Sequence, residues 1–234
     1  MRLRRDLLGI TLTAALLVAA LYLFSGRAAV YIFAKASGLD IGYDRLKAAS
    51  FENIAFDGLK VVEKKRGIGL AAKHAVIKPS WKTHPFEDLT IDFVLTGVRF
   101  VKQAPGEPEA FDTVSGLVAA PFNSRWTYRE IKGRIQPSGE KIIIKDLAAA
   151  SDDIRLSVNG SLDHKKNALE SDLVIYFSQG LTKNIPEELT RALLADEKDG
   201  WKSLSVRLAG DYARPSIQVS GKLFRLNIRE VSRP

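Results

Sequence analysis

Apolar and polar positions follow two different periods along the chain, and the change falls near Gly38. From Leu7 to Gly26 the run LLGITLTAALLVAALYLFSG holds twenty residues without a charge. As a helix rising 1.5 Å per residue it is about 30 Å long, the thickness of a bilayer core. Arg2, Arg4 and Arg5 precede the run and only Arg27 follows closely. That asymmetry predicts a cytoplasmic N-terminus and a chain that emerges on the outer side. Tyr22, Phe24 and Tyr31 stand where aromatic rings would sit at the outer interface. A cleaved signal peptide is the competing reading, but its apolar core spans about 7–15 residues and ends at a small-residue cleavage site. Here the A-x-A step, Ala34-Lys35-Ala36, lies beyond Arg27 and the apolar Val30-Tyr31-Ile32-Phe33. The expected organisation is an Arg-rich start and transmembrane anchor over 1–27, a juxtamembrane helix over 28–37 and a β domain over 38–234.

Beyond Gly38, alternation replaces the helical period, with turn residues recurring about every eight to twelve positions, as in an antiparallel meander. Ile91, Phe93 and Leu95 share one parity, as do Ile154, Leu156 and Val158, and Leu169, Leu173, Ile175 and Phe177. Leu204, Val206 and Leu208 follow, then Ile217 and Val219, then Phe224, Leu226 and Ile228, with a parity flip that implies a turn or bulge near Gly221. Pro137-Ser138-Gly139, Asp152-Asp153, Asp163 to Asn167 and Asp211 to Pro215 read as hairpin connections. Loops this short make sequential strands neighbours, which predicts one long sheet without crossover helices. One helix is expected outside the anchor, Ile185 to Ala195, capped by Asn184 and carrying an apolar stripe of Leu189, Ala192 and Leu193. Gln103 to Glu109, with two prolines and a glycine, is the best exposed loop and the one place to divide the soluble part.

Composition narrows the chemistry. The chain has no cysteine, which removes thiolate nucleophiles, Cys-type zinc sites and disulfides together. A formal charge of +8 favours anionic partners. Gly67-Ile68-Gly69-Leu70-Ala71-Ala72 matches a loose dinucleotide fingerprint, but Glu63-Lys64-Lys65-Arg66 precedes it and a strand-like Lys73 to Lys78 follows, so the segment reads as a hairpin turn. His74, His84 and His164 have no helical i, i+4 pairing, and no metal site is expected. Asp152-Asp153 reads as a turn, since adjacent exposed carboxylates lack the apolar burial that tunes a general acid. Asn159-Gly160-Ser161 reads as a bulge or turn more simply than as a glycosylation site. No nucleophile elbow, phosphate loop or S-x-x-K motif stands in the chain, and neither catalytic residues nor a cofactor are expected. Lys64, Lys65, Arg66, Lys73, Lys78 and Lys82 form a basic region that reads first as a solvated hairpin and secondly as a site for phosphate groups of lipid or nucleic acid. Lys64, Lys65 and Arg66 are the candidate contact to anionic lipid, and placement of the sheet outside the membrane argues against nucleic acid.

The run Ile131 to Leu162, with its glycine, aspartate and alternating apolar positions, resembles the repeat pattern of the AsmA-like (AsmA/TamB) envelope protein superfamily. Phe51 to Val61 and Gly69 to Trp81 look like the start of such proteins just after their anchor. Trp201 to Gly210 followed by Arg214-Pro215-Ser216 is similar to their usual ending. Size and element order look most like the type II secretion system protein N group. The resemblance implies a mainly β fold: the transmembrane helix, then a long, curved antiparallel β meander, a groove or taco-like sheet, with one or two short helices. It implies a periplasmic sheet with an apolar inner face, anchored in a bacterial inner membrane, and lipid movement for the large family members; no catalytic residues carry over.

About fourteen strands at about 4.8 Å would make a sheet of about 67 Å, too short to bridge an envelope alone. Stacking with partners through open strand edges, or adaptor work in an assembly, would answer that limit. The expected function is therefore non-enzymatic handling of lipid, or assistance to outer-membrane biogenesis, through an apolar face of Ile91, Phe93, Leu95, Ile154, Leu156, Val158, Leu173, Ile175 and Phe177. The alternative is an accessory subunit of the type II secretion system that acts by protein–protein contact. Parity alone leaves open whether that face is a filled core or a groove.

Overall fold

The computed structural model describes residues 39–50, 53–64, 67–80, 89–102, 111–163, 165–211, 215–222 and 225–228. The expected anchor, the juxtamembrane helix and the Gln103–Glu109 loop lie outside them. Among the described residues no helix is long and apolar enough to cross a membrane. The strands are β1 (Leu39–Gly42), β2 (Arg45–Ser50), β3 (Asn53–Glu63), β4 (Ile68–Ser80), β5 (Thr90–Lys102), β6 (Tyr128–Ser138) and β7 (Lys141–Ala150). They continue as β8 (Ile154–Asp163), β9 (Ala168–Phe177), β10 (Ala195–Asp196), β11 (Lys202–Asp211), β12 (Ser216–Ser220) and β13 (Arg225–Ile228).

Among the described residues, all thirteen strands belong to one open antiparallel sheet whose order follows the chain, with two local departures. The short β2 continues β1 along the same side of β3, and β10 adds to the end of β11 beside β12. Eleven strands form the main path, so ten steps of about 4.8 Å give about 48 Å, less than the length expected from sequence. The six alternating stretches fall in strands at every described position, Phe224 lying outside the described residues, and the four turn motifs all join antiparallel neighbours. β5 and β6 pair directly although residues 103–127 stand between them in sequence, so the chain on both sides is one sheet.

Simple alternation fails along one line of the sheet, and there the strands bend. Buried positions fall three apart in four neighbouring strands: Phe56 and Leu59, Ala72 and Ala75, Leu95 and Val98, Tyr128 and Ile131. The registers of β3 with β4 and of β4 with β5 are unchanged across the line, so no residue is inserted. The parity flips by conformation instead, with Gly58 at φ +64° and Gly97 at φ +62°, values that a side chain with a Cβ rarely adopts. Both segments of each strand thereby turn their apolar side to the same core.

Three helices close that core. Helix α1 (Val114–Ala119) runs into a 3₁₀ turn (Ala120–Phe122), and α2 (Gln179–Thr182) precedes α3 (Glu187–Leu193). They lie in the connections β5–β6 and β9–β11, which leave the sheet at the same end, called here the upper end. Thr113 caps α1 by accepting the Gly116 N–H at 3.0 Å, and Ser178 caps α2 by accepting that of Leu181 at 3.2 Å. The expected helix over Ile185–Ala195 is shorter at both ends, and its N-cap is Pro186. Asn184 is taken by the preceding turn, where its N–H donates to the Leu181 carbonyl at 3.0 Å. Leu194 is already extended, and the chain goes straight into β10.

Under α1, Tyr128 is completely buried and its hydroxyl donates to the Pro121 carbonyl at 2.7 Å. Burial pushes its phenol far above the ordinary tyrosine value. Stability from the neutral phenol is full below the unfolded value of about 10 and is lost as pH rises toward the folded one. Tyr128→Phe is expected to cost about 1 kcal/mol at neutral pH, from the unpartnered carbonyl. It should also flatten the loss of stability above about pH 10, which urea titrations of both proteins over that range would show.

Candidate functional site

The apolar face is built of cross-strand ladders, in which register partners point the same way. The uppermost full ladder is Phe56, Ala75, Leu95, Ile131, Ala149, Leu156, Ile175 and Leu204, one residue from each of eight strands. Every member is buried, in one core with Leu117 and Ala120 of the first helical segment and Leu181, Ile185, Leu193 and Leu194 of the second. Helix α3 rests closely on the sheet end, since a Cβ at Gly221 would lie 2.7 Å from the Ala192 carbonyl oxygen.

Lower ladders lose this cover. Ile54, Ile77, Phe93, Leu147 and Val158 are half-buried and pack against the core edge. Below them, Ile91, Ile135 and Ile144 are successive partners across β5, β6 and β7, and Ile142, Leu162 and Leu169 across β7, β8 and β9. These six aliphatic residues are half-buried and lie outside the core cluster. They form a contiguous apolar floor on the lower part of the same face. The opposite face is polar and carries cross-strand ion pairs such as Arg134 with Asp92 at 2.7 Å and Arg207 with Glu170.

All nine residues expected to form the apolar face do share it. Leu95, Ile154, Leu156, Leu173, Ile175 and Phe177 are buried in the core, whereas Ile91, Phe93 and Val158 are half-buried. Parity identifies the face, but helix cover decides depth. Sequence reading missed Ile135, Ile142, Ile144 and Leu162, and left Leu169 off the face although it read its parity. The run Ile142-Ile143-Ile144 hides its parity, and a bulge in β7 puts Ile144 and Leu147, three apart, on one face. Asp146 sits in the bulge at φ +52°, its N–H donating to Asn159 Oδ1 at 2.8 Å, so Asn159-Gly160 stands opposite the bulge.

The polar candidates disperse. Lys64 is exposed in the β3–β4 turn, while Lys65, Arg66 and Lys82 lie outside the described residues. Ten residues of β4, about 33 Å, separate that turn from Lys78, so the basic region is not one patch. Asp152 faces Arg129 at 2.9 Å while Asp153 accepts the Ser178 hydroxyl at 3.0 Å, so the two carboxylates diverge. His74 Nδ1 meets Asp57 at 2.8 Å, a cross-strand pair invisible to local spacing. That hydrogen bond, with Lys47 on the other carboxylate oxygen, holds the Asp57 carboxyl below its ordinary range. His84 and His164 lie outside the described residues, among which no cluster of three metal-ligating side chains occurs. No protein-family model, curated protein or solved structure matches the chain.

Proposed function

We propose that the chain is a non-enzymatic, inner-membrane-anchored periplasmic protein of AsmA-like type, and that the lower part of its apolar sheet face holds lipid acyl chains. The observation that supports this reading is the floor of Ile91, Ile135, Ile142, Ile144, Leu162 and Leu169, six contiguous aliphatic residues beyond the core on an open sheet. Apolar surface left outside a filled core is a place where acyl chains can pack without needing any hydrogen-bond partner. The uncharged run Leu7–Gly26 supports the anchor.

A second reading, an accessory subunit of type II secretion resembling its protein N, is favoured by the upper ladders, because the chain's own helices fill that part of the face. The two readings separate with a photoreactive phenylalanine analogue at position 144, in full-length protein within bacterial membranes. Lipid handling predicts phospholipid adducts at 144 and none at Val94, which is 36% exposed on the polar face. Adducts to another protein at 144 would replace the lipid reading with the subunit reading.

A further inference from the structure

The edge strand of the sheet begins beside a basic turn. Leu39, the first residue of β1, is the register partner of Glu63, the last of β3, and the next residue, Lys64, is exposed in the turn. Across the turn Ile68 opens β4 and is 50% exposed, the most exposed large hydrophobic residue among those described. Twelve residues separate Leu39 from the end of the uncharged run at Gly26. They reach about 18 Å as a helix and about 43 Å fully extended. With the anchor of the proposed function, the corner where the chain enters the sheet lies within that reach of the membrane surface.

We propose that this corner is a second membrane contact, in which Lys64 meets anionic lipid phosphates and Ile68 enters the interface. It rests on the anchor in the proposed function and is independent of the acyl-binding floor. A cation beside an exposed aliphatic side chain matches both layers of a membrane surface, headgroup charge and the apolar boundary beneath it. A protein partner would also accept an exposed isoleucine, but the tether brings the lipid surface to this corner first.

Because the chain has no cysteine, Ile68→Cys supplies a unique attachment point for a nitroxide label. Full-length protein would be reconstituted in phosphatidylcholine vesicles with and without phosphatidylglycerol, and label accessibility to oxygen compared with that to an aqueous nickel chelate. With phosphatidylglycerol, the label at 68 should favour oxygen, while one at Lys166→Cys, at the opposite end of the strands, should favour the chelate. Adding Lys64→Glu should return the label at 68 to the chelate-favouring state. A label at 68 as aqueous as that at 166, on protein that resists alkaline carbonate extraction, overturns the contact and leaves the anchor standing. Extraction of the protein by carbonate overturns the anchor and the contact together. Oxygen preference in both vesicle types overturns the anionic part.

Discussion

Phe177→Ala is expected to lower the free energy of unfolding by about 3–5 kcal/mol. Phe177 is fully buried at the upper end of β9, opposite Ile154, where the chain leaves the sheet for α2. The next residue, Ser178, ties this exit down: its N–H donates to the Asp153 carbonyl at 2.9 Å and its hydroxyl to the Asp153 carboxylate at 3.0 Å. With the end of β9 tied to the turn before β8 by these hydrogen bonds, the surroundings have little freedom to collapse, and a cavity remains where the ring was. The signature is a lower urea midpoint at unchanged slope, because the surface exposed on unfolding scarcely changes. A loss below about 1 kcal/mol would mean that the helices do not cover this part of the face.

Gly160→Val is expected to cost about 1–3 kcal/mol by the opposite mechanism, overpacking. Gly160 and Ser171 are register partners in the middle of β8 and β9. A Cβ at 160 would lie 2.5 Å from the Glu170 carbonyl oxygen and 2.7 Å from Ser171 Cα, so a backbone rather than a pliable side chain stands in the way. The strands must separate, and this strains the Ser171 hydroxyl bond to the Asn159 carbonyl at 3.1 Å and the adjoining bulge in β7. For a chain of this size, each kcal/mol lowers the melting temperature by about 2–4 °C. Amide exchange should accelerate in β8 and β9 before it does in β3 and β4, whose contacts the substitution leaves alone. Unchanged exchange in β8 and β9 would mean that the close approach at Gly160 is absent in solution.

Strands with one solvated and one packed face were legible because their side chains alternate without interruption, as in Ile154-Leu156-Val158 and in Leu173-Ile175-Phe177. Where the backbone departs from the regular pleat, period-2 reading loses its phase. Phe56 and Leu59 are buried three apart across the Gly58 bend. Ile144 and Leu147 straddle a bulge that depends on Asp146 in the left-handed region. Helix α1 escaped because six residues, VSGLVA, give too few turns to establish a stripe. The candidate floor was legible at two of its six positions: Ile91 and Leu169 keep regular parity, whereas Ile135, Ile142 and Ile144 border the bulged region and Leu162 pairs with Ile142 of β7. Depth was not legible at all, since it depends on helices that arrive from connections distant in sequence.

Strand order that follows chain order also fixes how such a sheet can change in length. Along the main path each strand reverses its neighbour, so connections alternate between the two ends, and the helical segments follow β5 and β9, at the same end. Inserting a single strand between them would carry the second segment to the far end and leave Ile154, Ile175 and Leu204 without their cover. Inserting a hairpin keeps every later strand in its direction and both caps on their side. The hairpin is thus the quantum of growth for this architecture, and gain or loss of an even number of strands is the change its core can survive.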